Sequence, residues 1–297
     1  MASSPAPVRF RPMPLPELLD ELFRLYRNHF SLLIGVSLIV SLPGLVWTLL
    51  TGTYRLSLGS YSNLFPTTPG AAPNLTSDQL GQLLQLVGLG VLGAIALSPF
   101  LVGAVYRAVA DVATGRPATV GSVLRETLAR YLPLLGLIAL IAVMAIVWVI
   151  ATGIGFVLLV LPGLAMICVG VFFLVRWSLT VAAMMTENIG PIRGLGRSWN
   201  LIGGMWWRSF GILLVVGILQ VIITYAFYIV VLLLSAAISS GTVQLAVISV
   251  ATTLLGALIN PIAPIGITLL YFDLRVRKEG LDLDQLAQQT SPGPAPA

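Results

Sequence analysis

Six long apolar runs constrain the fold of this chain more than any other feature of its sequence. A helix needs about 20 apolar residues to cross the hydrocarbon core of a bilayer. The only Asp, Glu, Lys or Arg within the runs is Arg176, which ends the fourth run and can extend its guanidinium to the headgroups. The pattern predicts six transmembrane helices, over about residues 30–50, 84–106, 132–152, 156–176, 210–238 and 243–272.

The composition excludes an ordinary soluble protein. The chain has 297 residues, of which 57% are hydrophobic and 9% are charged, whereas soluble domains carry about 25% charged residues. So few charges cannot cover a water-exposed surface, so lipid must be the main solvent. We therefore predict an all-α fold, a polytopic membrane helix bundle.

The basic residues predict how the helices are oriented. They concentrate in the N-terminal segment, in the loops after the second and fourth runs and in the tail, while the opposite side carries only Arg55. Basic loops stay in the cytoplasm, so both termini are expected inside, in the plasma membrane of a bacterium. Because the charges follow a membrane plane, we expect no nucleic-acid partner. The predicted organisation is a cytoplasmic segment with an amphipathic helix over 1–29, a six-span domain over 30–274 and a cytoplasmic tail over 275–297, disordered at its end.

Three segments on the basic side have the apolar spacing of amphipathic helices. They begin near Leu15, Val120 and Ile192, and each precedes an outgoing run that is followed by a return run. The chain therefore reads as three units, each an interfacial helix followed by a membrane hairpin, with approximate threefold symmetry. Such helices place Arg near headgroups and Leu or Trp in the acyl boundary.

The long outer loop over 51–82 is rich in proline and glycine, which predicts an irregular segment. Thr76 to Gln79 reads as a capping box that opens the second span.

The last run is interrupted by Asn260, Pro261 and Pro264. Proline removes a helical hydrogen bond, so this stretch predicts either a kink buried against neighbouring helices or a break that forms a cavity, as in transporters. No ionisable residue lies at that depth, which favours the kink. A cavity lined by Asn260 would instead favour a transporter or permease component for a small molecule or lipid.

Residues that carry enzyme chemistry are scarce. The lone cysteine, Cys168, offers no zinc spacing, and His29 is the only histidine. Gly88 to Gly93 matches GxGxxG but lies inside an apolar run, so it does not predict a dinucleotide site. No nucleophile elbow or HExxH motif is present. We expect no catalytic, metal-binding or cofactor-binding residues, and no enzyme activity.

The charged residues near the basic side are candidates for contact with anionic lipid headgroups or with a protein partner. Asp111 and Glu187 are expected to pair with nearby arginines such as Arg107 and Arg193. In the tail, Asp273 can pair with Arg277 and Arg275 with Glu279 at i,i+4 spacing, as exposed pairs of about 0.3–0.5 kcal/mol. The candidate contact residues are Arg193, Arg197, Trp199, Asp273, Arg275 and Arg277.

Two stretches resemble a known family. They are IRGLGRSWNLIGGMWWRSFGILLVVGIL at 192–219 and LLYFDLRVRKEGLDLD at 269–284. Both are similar to the membrane domain found fused to some bacterial glycerophosphoryl diester phosphodiesterases and in stand-alone multi-pass proteins. In the fused relatives a separate barrel domain performs hydrolysis, and this chain lacks the paired histidines of that barrel. The resemblance therefore implies a non-enzymatic membrane module that contacts lipid or a partner protein.

Overall fold

The computed structural model describes residues 12–55, 77–158, 160–238 and 240–280, and within these ranges the chain forms helices and no strand. A 3₁₀ turn follows the second helix at Thr53–Arg55. The α-helices are α1 Leu15–Asn28, α2 Phe30–Thr51, α3 Ser77–Ala113, α4 Val120–Ala129, α5 Tyr131–Leu158, α6 Val160–Trp177, α7 Thr180–Glu187, α8 Pro191–Ile202, α9 Trp206–Ser235, α10 Gly241–Ile259 and α11 Ile262–Glu279.

The six predicted spans correspond to α2, α3, α5, α6, α9 and the pair α10 with α11, and the described residues hold six stretches long and apolar enough to cross a membrane. This confirms the all-α polytopic bundle. The second span is longer than predicted: α3 has 37 residues and continues past Tyr106. It continues because Arg107 and Asp111 lie one turn apart and pair with each other inside the protein.

The three predicted amphipathic segments are the helices α1, α4 and α8. Local sequence explains where each begins. Proline occupies the first turn of α1 and of α8, where a missing N–H costs nothing. Thr119 caps α4 through a reciprocal pair of hydrogen bonds with Ser122.

The three units form a closed ring. Each hairpin packs on the next, because α3 contacts α5, α6 contacts α9 and α10 contacts α2. The amphipathic helices are arranged around the ring in the same order, each on the end of a return helix: α4 packs on α3, α8 packs on α7, and α1 packs on α11. The first helix of the described chain therefore closes the ring against the last.

The ends of the three return helices form the centre of the ring. The second half of α3, most of α7 and most of α11 contact one another and are buried. Each end stops at a residue with a left-handed backbone, namely Gly115, Asn188 and Gly280. In α1 the apolar face packs into this core, with Leu18 and Leu22 fully buried, so it lies against protein rather than against acyl chains.

A tryptophan packs on a glycine in each of the first two hairpins. In the first, Trp47 lies against Gly93 and donates its indole N–H to the Leu89 carbonyl. In the second, Trp148 lies against Gly170 and donates to the Met166 carbonyl. Both tryptophans begin the same short motif, a tryptophan followed four residues later by Thr-Gly, and both threonine hydroxyls donate to the tryptophan carbonyl. The repeat is therefore partly one of residues, which the hydropathy pattern does not show.

The last predicted span consists of two helices. The helix α10 ends at Ile259, the chain turns at Asn260 and Pro261, and α11 begins at Ile262. The chain is thus kinked here, as the sequence favours, because Asn260 and Pro261 keep helical backbone angles while the helical hydrogen bonds are interrupted. The Leu258 carbonyl, near the end of α10, accepts a hydrogen bond from the Tyr26 hydroxyl of α1, which replaces a partner that the interrupted helix does not supply.

Some predictions concern residues outside the described ranges. The outer loop lies mostly at 56–76, and its capping residue Thr76 falls there too. Most of the predicted tail, from residue 281 onward, also lies outside.

Candidate functional site: the basic face

One end of the bundle carries nearly all of the charged side chains that the structure describes. We call it the basic face. It is formed by α1, α4 and α8, by the start of α9, and by the ends of α3, α6, α7 and α11. Three groups of charged residues lie there, and each group joins helices from different units.

The first group is centred on Asp273, whose side chain is fully buried. Its carboxylate accepts from the guanidinium of Arg208 at 2.9 Å and from that of Arg277 at 3.1 Å. It also accepts from the backbone N–H of Met13 at 2.8 Å. The predicted pair of Asp273 with Arg277 is confirmed, but the expectation of an exposed, weak pair is wrong, because Met13, α9 and α11 enclose the carboxylate.

The second group is centred on Arg197 of α8. Its guanidinium bridges Glu187 of α7 and Glu279 of α11, and Glu279 also accepts from Arg275 at 3.0 Å. The Tyr271 hydroxyl donates to Glu187. The hydrogen bond with Glu279, followed by that with Glu187, raises the pKa of Arg197 above its ordinary value, so this guanidinium is a permanent charge. The predicted pair of Arg275 with Glu279 is confirmed.

The third group joins α3, α4 and α7. Arg107 pairs with Asp111 on its own helix and with Glu126 of α4, and it donates to the Met185 carbonyl of α7 at 3.2 Å. Nearby, Arg130 donates to the carbonyl of Asn188. Burial, followed by the charge of Arg107, lowers the pKa of Arg130.

The predicted contact residues therefore separate into two sets. Arg197, Asp273, Arg275 and Arg277 are held in internal ion pairs. Arg193 is exposed and forms no ion pair within the described ranges, so the expected pair of Glu187 with Arg193 is wrong: Glu187 pairs with Arg197, one helical turn further along α8. Trp199 is partly exposed and lies against Arg176.

The structure adds two basic residues that the sequence analysis did not select. Arg176, at the end of α6, donates to the Trp199 carbonyl at 2.9 Å, and its guanidinium lies 4.5 Å from the Trp199 ring centroid and 5.3 Å from that of Phe172. Lys278 of α11 donates to the Asn200 carbonyl. Both cations thus lie at the carboxyl end of α8, where the helix dipole favours positive charge.

Arg176 and Lys278 also lie close to each other. A Cβ placed on Gly203 would be 3.4 Å from Arg176 Nη1 and 3.6 Å from Lys278 Nζ. The two nitrogens are therefore within about 7 Å, a separation at which like charges repel. Neither side chain forms an ion pair with any residue in the described part of the chain.

Around this pair the basic face is strongly positive. The end of α6, together with α7, α8, the start of α9 and α11, holds seven basic and three acidic side chains. The acidic ones are already shared among the ion pairs of the first two groups. The basic side chains are Arg176, Arg193, Arg197, Arg208, Arg275, Arg277 and Lys278.

The face thus has an excess of positive charge. Across the described ranges no group of three or more His, Cys, Asp or Glu side chains is arranged to hold a metal ion. No family model matches the chain. Comparison with curated proteins and with solved structures also found no match.

Proposed function

We propose that this chain is a non-enzymatic membrane module that holds anionic phospholipid at its basic face, with the lipid phosphate between Arg176 and Lys278. The observation that carries the proposal is the closeness of two cations whose side chains have only carbonyls as hydrogen-bond partners among the described residues. A phosphate would relieve their repulsion and accept from both, since guanidinium and ammonium groups are the usual protein partners of phosphate.

The surroundings of the two cations suit a lipid better than a soluble anion. The rings of Phe172 and Trp199 hold the guanidinium of Arg176. Close by, Trp207 is 78% exposed and packs on Trp206, which stacks on Phe172, while Ile192 near the start of α8 is 77% exposed. Exposed tryptophan next to cations is typical of the headgroup region of a bilayer, where the acyl chains of the bound lipid would cover these apolar side chains.

The proposal includes the predicted orientation, with the basic face on the cytoplasmic side of a bacterial plasma membrane. It also includes the resemblance to the membrane domain of the glycerophosphoryl diester phosphodiesterase family, which stays a prediction. A soluble protein partner is the competing occupant of the same face, and it would contact exposed Arg193 of α8 rather than the adjoining cations Arg176 and Lys278.

The test is lipid retention by the double variant Arg176→Gln, Lys278→Gln. The protein is purified in detergent with added phosphatidylglycerol, and the bound lipid is counted by native mass spectrometry. Loss of two charge-assisted hydrogen bonds, about 1.5 kcal/mol or more each, should weaken phosphatidylglycerol binding at least about a hundredfold and leave phosphatidylcholine binding unchanged.

A second double variant, Arg24→Gln with Arg193→Gln, is the matched control because it removes the same net charge from exposed positions of the same face. It should retain most of the bound phosphatidylglycerol. Equal losses from the two double variants would show that net charge alone attracts the lipid, and the specific site would be abandoned.

A transporter is the second candidate, because one observation favours it. A cavity of about 580 Å³ lies between α9 and α10, and Asn260 is among its lining residues. However, neither Pro261 nor Pro264 lines it, and it shares no lining residue with the cavity of about 750 Å³ at the opposite end of the bundle. A cysteine at Asn260 that reacted with membrane-impermeant thiol reagents from both sides would support transport, and protection from both sides would exclude it.

A further inference from the structure

The third hairpin lacks the tryptophan that fills the first two. Counted from the start of the outgoing helix, Trp47 of α2 and Trp148 of α5 both occupy the eighteenth position. In α9 that position is Ile223. Isoleucine is much smaller than tryptophan and has no N–H to donate, so it cannot fill the same space or make the same hydrogen bond.

Two adjoining cavities lie along this hairpin. The first, of about 250 Å³, is apolar and is lined by Ile223 together with residues of α1, α2, α9, α10 and α11. The second is the cavity of about 580 Å³ between α9 and α10. Phe227 and Ile259 line both. Together they have the size of sites that bind small organic ligands.

The larger cavity has a polar lining at the middle of the membrane. Gln220 is midway along α9, about 21 Å from either end at 1.5 Å per residue. The side chains of Gln220, Asn260 and Tyr228 line the cavity and form no hydrogen bond with other described residues. An amide without a partner is costly in a hydrocarbon environment, so this lining points to an occupant that supplies the partners.

The lining also defines the chemistry of that occupant. No Asp, Glu, Lys, Arg or His lines either cavity, so a charged head would be buried without a counter-ion at a high cost. Amide and phenol groups match hydroxyl, ester or ketone oxygens, which they can both donate to and accept from. The apolar cavity next to them, bounded by Phe23 of α1 and Phe30 of α2, fits a hydrocarbon chain.

We propose that the third hairpin binds an uncharged membrane lipid. Its oxygen-bearing head lies between Gln220 and Asn260, and its chain lies in the apolar cavity beside Ile223. A diacylglycerol and an isoprenoid quinone share this chemistry. The inference goes beyond the anionic-lipid site of the basic face, because it uses other residues and a different lipid class.

The test is photolabelling of the full chain in detergent micelles with two probes, a diazirine-bearing diacylglycerol and a diazirine-bearing quinone. At least one probe should label peptides that contain residues 220–231 and 252–260, and the labelling pattern identifies the head. Unlabelled phosphatidylglycerol should not compete, because its head is charged.

The decisive variant is Gly256→Leu. Gly256 lines the larger cavity, and no atom lies within 4 Å of a Cβ built there, so a leucine fills the space without a clash. Because the leucine would keep the lipid head away from the amide groups, labelling should fall about tenfold. That factor corresponds to the loss of one hydrogen bond of about 1.4 kcal/mol. Gly217→Leu is the matched control, because Gly217 is on the same hairpin, has equally open space and lines neither cavity.

Two results would overturn the inference. The first is labelling by both probes that is spread evenly over all the membrane-spanning helices. The second is unchanged labelling in a Gly256→Leu protein whose thermal unfolding midpoint is also unchanged. A second variant, Gln220→Leu with Asn260→Leu, removes both amides and should also lose the label. The Arg176→Gln, Lys278→Gln protein should label normally, so failure of the basic-face proposal and failure of this one are distinguishable.

Discussion

Asp273 shows how one buried carboxylate can connect distant parts of a chain. It contacts the backbone before α1 and the side chains of Arg208 and Arg277. The Met13 carbonyl in turn accepts from both guanidiniums. Each partner depends on the others to offset its loss of hydration, so the group stabilises the fold as a unit.

Replacing Asp273 with Asn should therefore destabilise the protein strongly. The change removes the one negative charge between two guanidiniums and leaves them partly buried without a counter-ion, at a cost of about 3 kcal/mol. The measurement is the midpoint of thermal unfolding in detergent. Glu126→Gln is the control, because the Glu126 side chain is 49% exposed, and its loss should cost about 1 kcal/mol or less. Equal midpoints for the two variants would contradict the assigned role.

For single side chains, the sequence predicts ion pairs between residues that are close in the chain and misses contacts between residues that are far apart in it. The i,i+4 pair of Asp273 with Arg277 follows from helical spacing. The contacts with Met13 and Arg208 bridge 260 and 65 residues, and no local pattern carries such information. Arg176 was recognisable as the one charge within the apolar runs, but its closeness to Lys278 depends on how α6 and α11 meet.

Among the helices, close packing depends on glycines that accept a tryptophan ring. At Gly170 a Cβ would lie 2.3 Å from Trp148 Cζ2, well inside contact distance. The hydrogen bond from the indole N–H of Trp148 to the Met166 carbonyl holds the ring in that position. Small residues that admit a large neighbour are a common way for membrane helices to approach each other.

Gly170→Ala should push the Trp148 ring away from α6 and cost about 1–3 kcal/mol, the usual range for overpacking. Resistance of the protein to unfolding in a denaturing detergent measures the change. Gly153→Ala in the same hairpin is the comparison, because no atom lies within 4 Å of a Cβ at Gly153. The stability of that variant should be unchanged or should rise by up to about 1 kcal/mol, because alanine has a higher helix propensity than glycine. A loss of similar size in both would refute the packing explanation.

At the same scale, apolar periodicity predicted every crossing helix, because lipid requires each one to be a long uncharged run. It misjudged where the helices end. The helix α3 continues through Arg107 because a pair with Asp111 makes that charge acceptable inside the protein. The interruption of the last span at Asn260, in contrast, follows from the sequence, because Pro261 has no N–H to donate to the last turn of α10.

For the whole molecule, the contact of Met13 with Asp273 places both ends of the described chain on the basic face. We expect that face to be cytoplasmic. A cysteine at exposed Arg193, in a protein whose Cys168 is replaced by Ala, should react with a membrane-impermeant reagent only after the cells are opened. A cysteine at Gly241, the first residue of α10, should react in intact cells. The reverse pattern would invert the orientation.

The ring arrangement has a consequence for how the protein is made. Helices enter the membrane in the order of synthesis, but α1 has its main packing partner in α11, the last of the described helices. During translation the apolar residues Leu18 and Leu22 of α1 must therefore remain without that partner until α11 has been synthesised. A chain stopped after α10 would keep five of the six apolar crossings complete and still leave α1 without its partner helix. In such a chain the ring would be open, and the apolar face of α1 would be accessible to the chaperones and proteases of the cell.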